Sequence, residues 1–155
     1  MRGEEKVKII RTNFMFKEKL QKRIKTDLIV LHHAAATNAT VEDIHRWHLQ
    51  RGWAGIGYHF YVRKDGSVYE GRPIDTIGAH VQGFNARSIG ICAEGNYDKE
   101  KTMPEPQKQA IIELVRYVLS KYPNCRIVRH KDLMATSCPG RYYPFDDIKR
   151  EVMKK

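Results

Sequence analysis

The run Leu28-Ile29-Val30-Leu31 limits the fold more than any other stretch of this chain. It is short, rich in branched apolar side chains and bounded by Asp27 and His32, the pattern of a strand buried inside a sheet. His32 then stands at the C-terminal end of that strand, where open α/β sheets place their sites. Four more segments read as strands. Gly57–Arg63 is aromatic and β-branched, and the turn Lys64-Asp65-Gly66-Ser67 returns the chain through Val68–Glu70 as a hairpin. Ser88–Ala93 and Arg126–Arg129 are the others.

Helical patterns alternate with these strands. Thr40 with Asp43 three residues on forms a capping box, after which Ile44, Trp47 and His48 share one face of a short helix that Gly52 stops. Thr102-Met103-Pro104-Glu105 reads as a second capping box, opening a helix with an apolar face of Ile111, Val115, Val118 and Tyr122, ended by Pro123. Residues 145–153 suit a closing helix. The interleaving predicts a single α/β domain, a central mixed sheet flanked by helices, over residues 27–155.

Residues 1–26 form a separate basic segment. Nine Lys and Arg (Arg2, Lys6, Lys8, Arg11, Lys17, Lys19, Lys22, Arg23, Lys25) oppose three Glu there, giving +6 of the chain's +10. Phe16, Leu20 and Ile24 fall at helical spacing, so the segment is expected to pack as an amphipathic helix or as an extended arm. Such charge favours an anionic partner, among which nucleic acid, a lipid surface and an acidic wall polymer are the candidates. No zinc-finger spacing or aromatic-interleaved basic motif supports nucleic acid. No run approaches the roughly 18 apolar residues of a membrane span, nor the roughly 7–15 of a signal-peptide core. The expectation is a monomer made in the cytoplasm without a signal peptide. Three cysteines, an odd number, argue against a disulfide framework.

His32, His130 and Cys138 are the chain's best candidate metal ligands. Imidazole nitrogen and thiolate sulfur suit zinc, and three protein ligands leave the open position a hydrolytic zinc needs. His33 is the alternative to His32, although successive strand residues face opposite ways. His45 and His48, at i,i+3 spacing beside Trp47, and His59, next to Tyr58, read as structural.

Six ordered motifs then carry a resemblance: Val30-Leu31-His32-His33, Gly57-Tyr58-His59-Phe60, Gly66–Arg72, Gly78-Ala79-His80, Asn85–Ile91, and His130-Lys131-Asp132 through Thr136-Ser137-Cys138-Pro139-Gly140. Over roughly residues 27–150 the chain resembles the zinc N-acetylmuramoyl-L-alanine amidases, the family of amidase-type phage lysozymes and peptidoglycan recognition proteins. The resemblance implies His32, His130 and Cys138 as zinc ligands and Tyr58 and Thr136 as catalytic residues. It implies Trp53, Arg72, His80 and Asn85 as residues lining the groove for the glycan-peptide. Thr136 occupies a place where the phage enzymes often have lysine and the catalytic recognition proteins threonine.

The implied function is hydrolysis of the amide between N-acetylmuramic acid and L-alanine in peptidoglycan. The implied setting is a phage or prophage endolysin that reaches the wall after release and is drawn to its anionic polymers. Two other readings are a cytosolic muropeptide-recycling amidase and a non-catalytic peptidoglycan-binding module. Recycling relatives generally have aspartate where this chain has Cys138, and binding modules typically lack that cysteine.

Overall fold

The computed structural model describes residues 7–154. Its elements are β1 (Ile9–Ile10), β2 (Leu28–His33), α1 (Val41–Gln50), β3 (Phe60–Val62), β4 (Val68–Glu70), β5 (Ser88–Ala93), α2 (Glu105–Lys121), β6 (Arg126–Arg129) and α3 (Phe145–Met153). One six-stranded sheet runs in the order β1-β4-β3-β5-β2-β6. Only the β3–β4 hairpin is antiparallel, so the sheet is mixed, as expected.

Alternation sorts the side chains of the central strands into two layers. On one face Ile29 and Leu31 of β2 join Ile89, Ile91 and Ala93 of β5 under α2 and α3, with Ile111, Leu114, Val115, Val118 and Ile148 fully buried against them. Each such side chain contributes about 1.5–3 kcal/mol by leaving water. On the other face Tyr61 and Cys92 pack under α1 with Val41, Ile44 and Ile56. His32 faces this second layer, in register with Cys92. The sheet's helix-poor side therefore holds the polar end of β2.

The first capping box forms as expected: Asp43 N–H donates to Thr40 Oγ1 at 3.1 Å, and Thr40 N–H to Asp43 Oδ2 at 3.0 Å. Gly52, at φ +90°, follows the helix end. The second box does not form. The helix begins after Pro104, whose ring has no acceptor to offer, so it carries no side-chain cap, and Gln107 of its first turn is drawn inside. Its Nε2 donates to the carbonyls of Val62 and Glu94 at 3.0 and 2.8 Å, tying α2 to the ends of β3 and β5. Tyr122 likewise lies past the helix end.

The strand expected over 57–63 is regular only across Phe60–Val62. Gly57 leaves the ladder to meet other partners: its N–H donates to His48 Nδ1 at 2.8 Å and its carbonyl accepts from Ala79 N–H at 2.9 Å. A Cβ at residue 57 would stand 1.9 Å from the Ala79 oxygen, so this junction requires glycine.

Residues 7–27 contain no helix; they form an extended arm. β1 adds to the edge strand β4 with Ile9 opposite Val68. Phe14 then stacks on His45 with ring centroids 4.1 Å apart, and Phe16 meets the same ring edge-on. Ile24 is 101% exposed, so helical spacing there does not mark a buried face. Arg23 anchors the end of the arm, donating to the carbonyls of Thr76 and Ile74 at 2.6 and 2.7 Å. Among the described residues no helix is long and apolar enough to cross a membrane.

Candidate metal centre and groove

The parallel pairing of β2 with β6 places the ends of the two strands side by side. His32 ends β2, and His130 opens the single helical turn that follows β6. Their ring centroids are 4.6 Å apart. The chain then folds back, as the eight-residue spacing demands: Lys131 N–H donates to the Cys138 carbonyl at 3.0 Å. Donor atoms of His32, His130 and Cys138 all lie within 4.8 Å of one another. His33 points away and accepts from Tyr97 N–H through Nδ1 at 3.0 Å.

Asp98, which the sequence did not mark, pins the loop that carries Cys138. Its carboxylate accepts from Ser137 Oγ at 2.8 Å and from Arg141 N–H at 3.2 Å. Gly140, at φ +106°, lets the loop press against the backbone of Tyr97, where a Cβ would stand 2.4 Å from a carbonyl carbon. Tyr142 N–H closes the contact by donating to the Tyr97 carbonyl at 2.7 Å.

The chemistry of the cluster fits a soft divalent cation. His130 Nε2 is buried with no hydrogen-bond partner, an arrangement costly for a polar atom unless a ligand completes it. His32 is 1% exposed, and burial holds its pKa well below the usual histidine range, so it is a neutral lone-pair donor. Burial likewise lowers that of His130. Burial pushes the Cys138 thiol up to about 12, although the His33 N–H aimed at its sulfur from 3.4 Å favours the thiolate. A cation held by His32, His130 and Cys138 would supply the missing charge and favour the thiolate form of Cys138.

Around the cluster, Tyr58 lies with its ring 5.0 Å from that of His32, and burial raises its phenol well above the usual range. Thr136 is exposed and accepts from Cys138 N–H at 3.3 Å through Oγ1. A cavity of about 380 Å³ opens beside His130, lined by Trp53, His80, Asn85 and Met134 among others. A second of about 360 Å³ lies on the far side of Trp53, lined by Arg72 and by Glu18–Gln21 of the arm. Trp53, 37% exposed, divides the two.

Two of these residues hold structure as well. Arg72 is buried, with Nε and Nη1 donating to the carbonyls of Ile56 and Ile77 at 2.8 and 3.0 Å. His80 is also buried, its Nδ1 2.8 Å from His32 Nε2. His48 and His59 serve as structural residues: the first accepts from Gly57 N–H, and the second accepts from Gly90 N–H at 3.0 Å while its other nitrogen bonds the Thr76 carbonyl.

The mixed sheet brings a His-His-Cys cluster that could hold a metal ion to the ends of two parallel strands and the loop that follows, with a groove beside it. The sequence profile of the N-acetylmuramoyl-L-alanine amidases matches residues 22–141, and the chain belongs to that family. It is 36% identical over 134 residues to the endolysin of Klebsiella phage KP32, covering 81% of this chain and 88% of that one. The solved endolysin LysCS, an N-acetylmuramoyl-L-alanine amidase from Clostridium intestinale URNW, superposes with a TM-score of 0.91 at 42% identity, covering 96% and 97% of the two chains. A mutant of Drosophila PGRP-LB in complex with tracheal cytotoxin superposes at 0.81 with 25% identity, covering 91% and 92%. The protein is an enzyme, a peptidoglycan amidase.

Proposed function

We propose that the enzyme is zinc-dependent, that it cleaves the amide between N-acetylmuramic acid and L-alanine of the stem peptide, and that it acts as a phage or prophage endolysin. The observation that carries the zinc reading is the unpartnered, buried Nε2 of His130, a residue clustered with His32 and Cys138 beside the groove. A zinc ion held by His32, His130 and Cys138 would supply a Lewis acid that acidifies water and polarises the scissile carbonyl.

The chain's own groups do the rest. Tyr58 is a neutral phenol beside the cluster, and burial raises its pKa further, so its hydroxyl donates a hydrogen bond to the oxyanion that develops as the carbonyl is attacked. Thr136 Oγ1 already accepts from Cys138 N–H, which leaves its hydroxyl proton to donate to substrate or water. As a neutral residue it cannot balance charge as lysine would. Trp53 offers a ring face for a sugar where the two cavities meet. Asn85 lines the groove with its amide NH2 still available, since its Oδ1 is taken by backbone N–H groups. Muramyl peptide is the substrate of this groove, and the basic arm adds attraction to the anionic polymers of the wall.

The deciding experiment incubates purified protein with cell walls and measures turbidity and new L-alanine amino termini, with and without a chelator. The expected result is loss of both signals on chelation and their return with zinc. Full activity in chelated, metal-free protein overturns the zinc reading, and clearing without new L-alanine termini overturns the bond assignment.

A further inference from the structure

The sheet face that carries His32 also carries Ser88 and Gly90, since β2 and β5 pair in parallel with Leu28 opposite Ser88 and Val30 opposite Gly90. The His80 ring lies in the space Gly90 leaves. A Cβ at residue 90 would stand 2.6 Å from the ring's Cγ and Nδ1, and one at residue 78 would stand 2.8 Å from its Cδ2. Glycine inside a buried strand marks such a close approach. Asn85 fixes the backbone that brings the ring there, its Oδ1 accepting from the N–H groups of His80 and Val81 at 2.8 and 2.9 Å.

The hydrogen bonds at this spot have one consistent direction. Ser88 Oγ is 2.8 Å from the Phe84 carbonyl oxygen, which can only accept, so the single hydroxyl proton points there. Toward His80 Nε2, 3.2 Å away, the same oxygen is then an acceptor, and Nε2 carries the ring's proton. A neutral imidazole protonated on Nε2 has its lone pair on Nδ1. That lone pair faces His32 Nε2 at 2.8 Å, so His32 is the donor. His32 is left protonated on Nε2 and with a lone pair on Nδ1, the nitrogen that faces Cys138 Sγ at 3.7 Å.

We propose that His80 is a positioning residue: with Ser88 and the Phe84 carbonyl behind it, it locks His32 in the Nε2–H tautomer and so presents Nδ1 to the metal. The inference rests on the assignment of His32 as a zinc ligand. Partners of this kind fix a ligand's tautomer and ring orientation, and their loss typically lowers metal affinity by about 10–100-fold. His80→Asn places an amide oxygen where Nδ1 stands and keeps the acceptor. His80→Phe keeps a ring and removes it.

The test measures zinc dissociation constants of the full-length wild type and both variants by competition with a chromogenic chelator. Nitrogen-15 NMR of the wild type reads which His32 nitrogen carries hydrogen. The expected result is about 10–100-fold weaker zinc binding for His80→Phe, affinity restored to within about threefold of wild type by His80→Asn, and the His32 proton on Nε2. A His80→Asn variant no tighter than His80→Phe overturns the proposal, because packing rather than the acceptor then matters, as does a His32 proton found on Nδ1. A wild type that binds no zinc overturns the zinc reading itself, whereas a wild type that binds zinc alongside two equal variants overturns this inference alone.

Discussion

The arm at residues 7–27 and the loop at 130–144 are both irregular segments laid on the same sheet, yet they are held by different means. The loop is fastened along its whole length: Lys131 to the Cys138 carbonyl, Ser137 and Arg141 to Asp98, Tyr142 to Tyr97. Fixed this way, it can hold a ligand atom to the tolerance a metal needs. The arm is held at separated points, by β1, by the ring stack on His45, by Lys17 N–H to the Ala54 carbonyl and by Arg23. Between them Met15, Lys17, Lys19 and Ile24 face solvent. The difference teaches that an irregular segment earns rigidity from closely spaced hydrogen bonds, and on the proposed function the two segments divide the work, chemistry to the loop and surface charge to the arm.

The sharpest way to break that division is through the loop's sulfur. Cys138→Ser is expected to lose zinc and abolish wall hydrolysis together, because no other thiolate is at hand. Cys92→Ser and Cys125→Ser are expected to change stability alone. Zinc content measured by mass spectrometry alongside turbidity assays checks this, and wild-type zinc in Cys138→Ser would place the ligand elsewhere.

Next in size are Tyr58→Phe and Thr136→Ala. Each deletes a hydrogen-bonding hydroxyl and leaves His32, His130 and Cys138 intact, so zinc content should hold while turnover falls by ~10²–10³ for the loss of an oxyanion donor. Thr136→Ala also removes an acceptor for Cys138 N–H, a bond that water can replace at this exposed position, so zinc content holds there too. Wild-type turnover in both variants would remove them from the mechanism.

What was legible in the sequence follows the same divide. β2, β5, β6 and the cap of α1 announce themselves because each is decided by its own residues: the apolar run of β2, the short isoleucine- and valine-bearing segments of β5 and β6, and Thr40 and Asp43 at the right spacing. The arm does not. Phe16, Leu20 and Ile24 fit a helix, but burial follows Thr12, Phe14 and Phe16 at period two, and that choice is made by the edge of β4 and the ring of His45, far away in the chain. The second capping box, read as Thr102 with Glu105, fails because the helix starts later, at Glu105, with Pro104 rather than Thr102 at its cap. At the site, His32, His130 and Cys138 were readable from ligand chemistry and from resemblance, and they do come together. Asp98 was not readable, because only the folded loop makes this half-buried aspartate an anchor. Gly90 within Ser88–Ala93 was the one local sign that another side chain, His80, packs against that strand.

A paired substitution sharpens the comparison further. Asp98→Ala is expected to weaken zinc binding by about tenfold through the freed loop, as loss of an outer partner does, with under about 1 kcal/mol lost in urea unfolding. Arg23→Met is expected to do the opposite: about 2–4 kcal/mol of stability, from charge-assisted bonds lost and carbonyls left unpaired, with zinc affinity unchanged. If Arg23→Met weakens zinc as much as Asp98→Ala does, the two regions are coupled and the division of work is wrong.

The smallest effect belongs to the arm's surface charge. Lys8, Lys17 and Lys19 are exposed, and no described acidic side chain pairs with them. Exposed substitutions away from packing usually change stability by less than about 0.5 kcal/mol, so replacing all three with Gln should leave unfolding and zinc binding unchanged. Hydrolysis of small soluble muropeptides should change far less than wall lysis, because none of the three belongs to the cluster and only Lys19 lines either of the cavities beside Trp53. Intact walls are polyanions, and attraction over their surface is screened beyond a Debye length of about 10 Å at 0.1 M salt. The triple variant should therefore lyse intact walls several-fold more slowly at low salt, and the gap should close as salt rises. Equal rates for variant and wild type across the whole salt range would leave the arm with packing as its only role, and the contrast with the loop would then rest on structure alone.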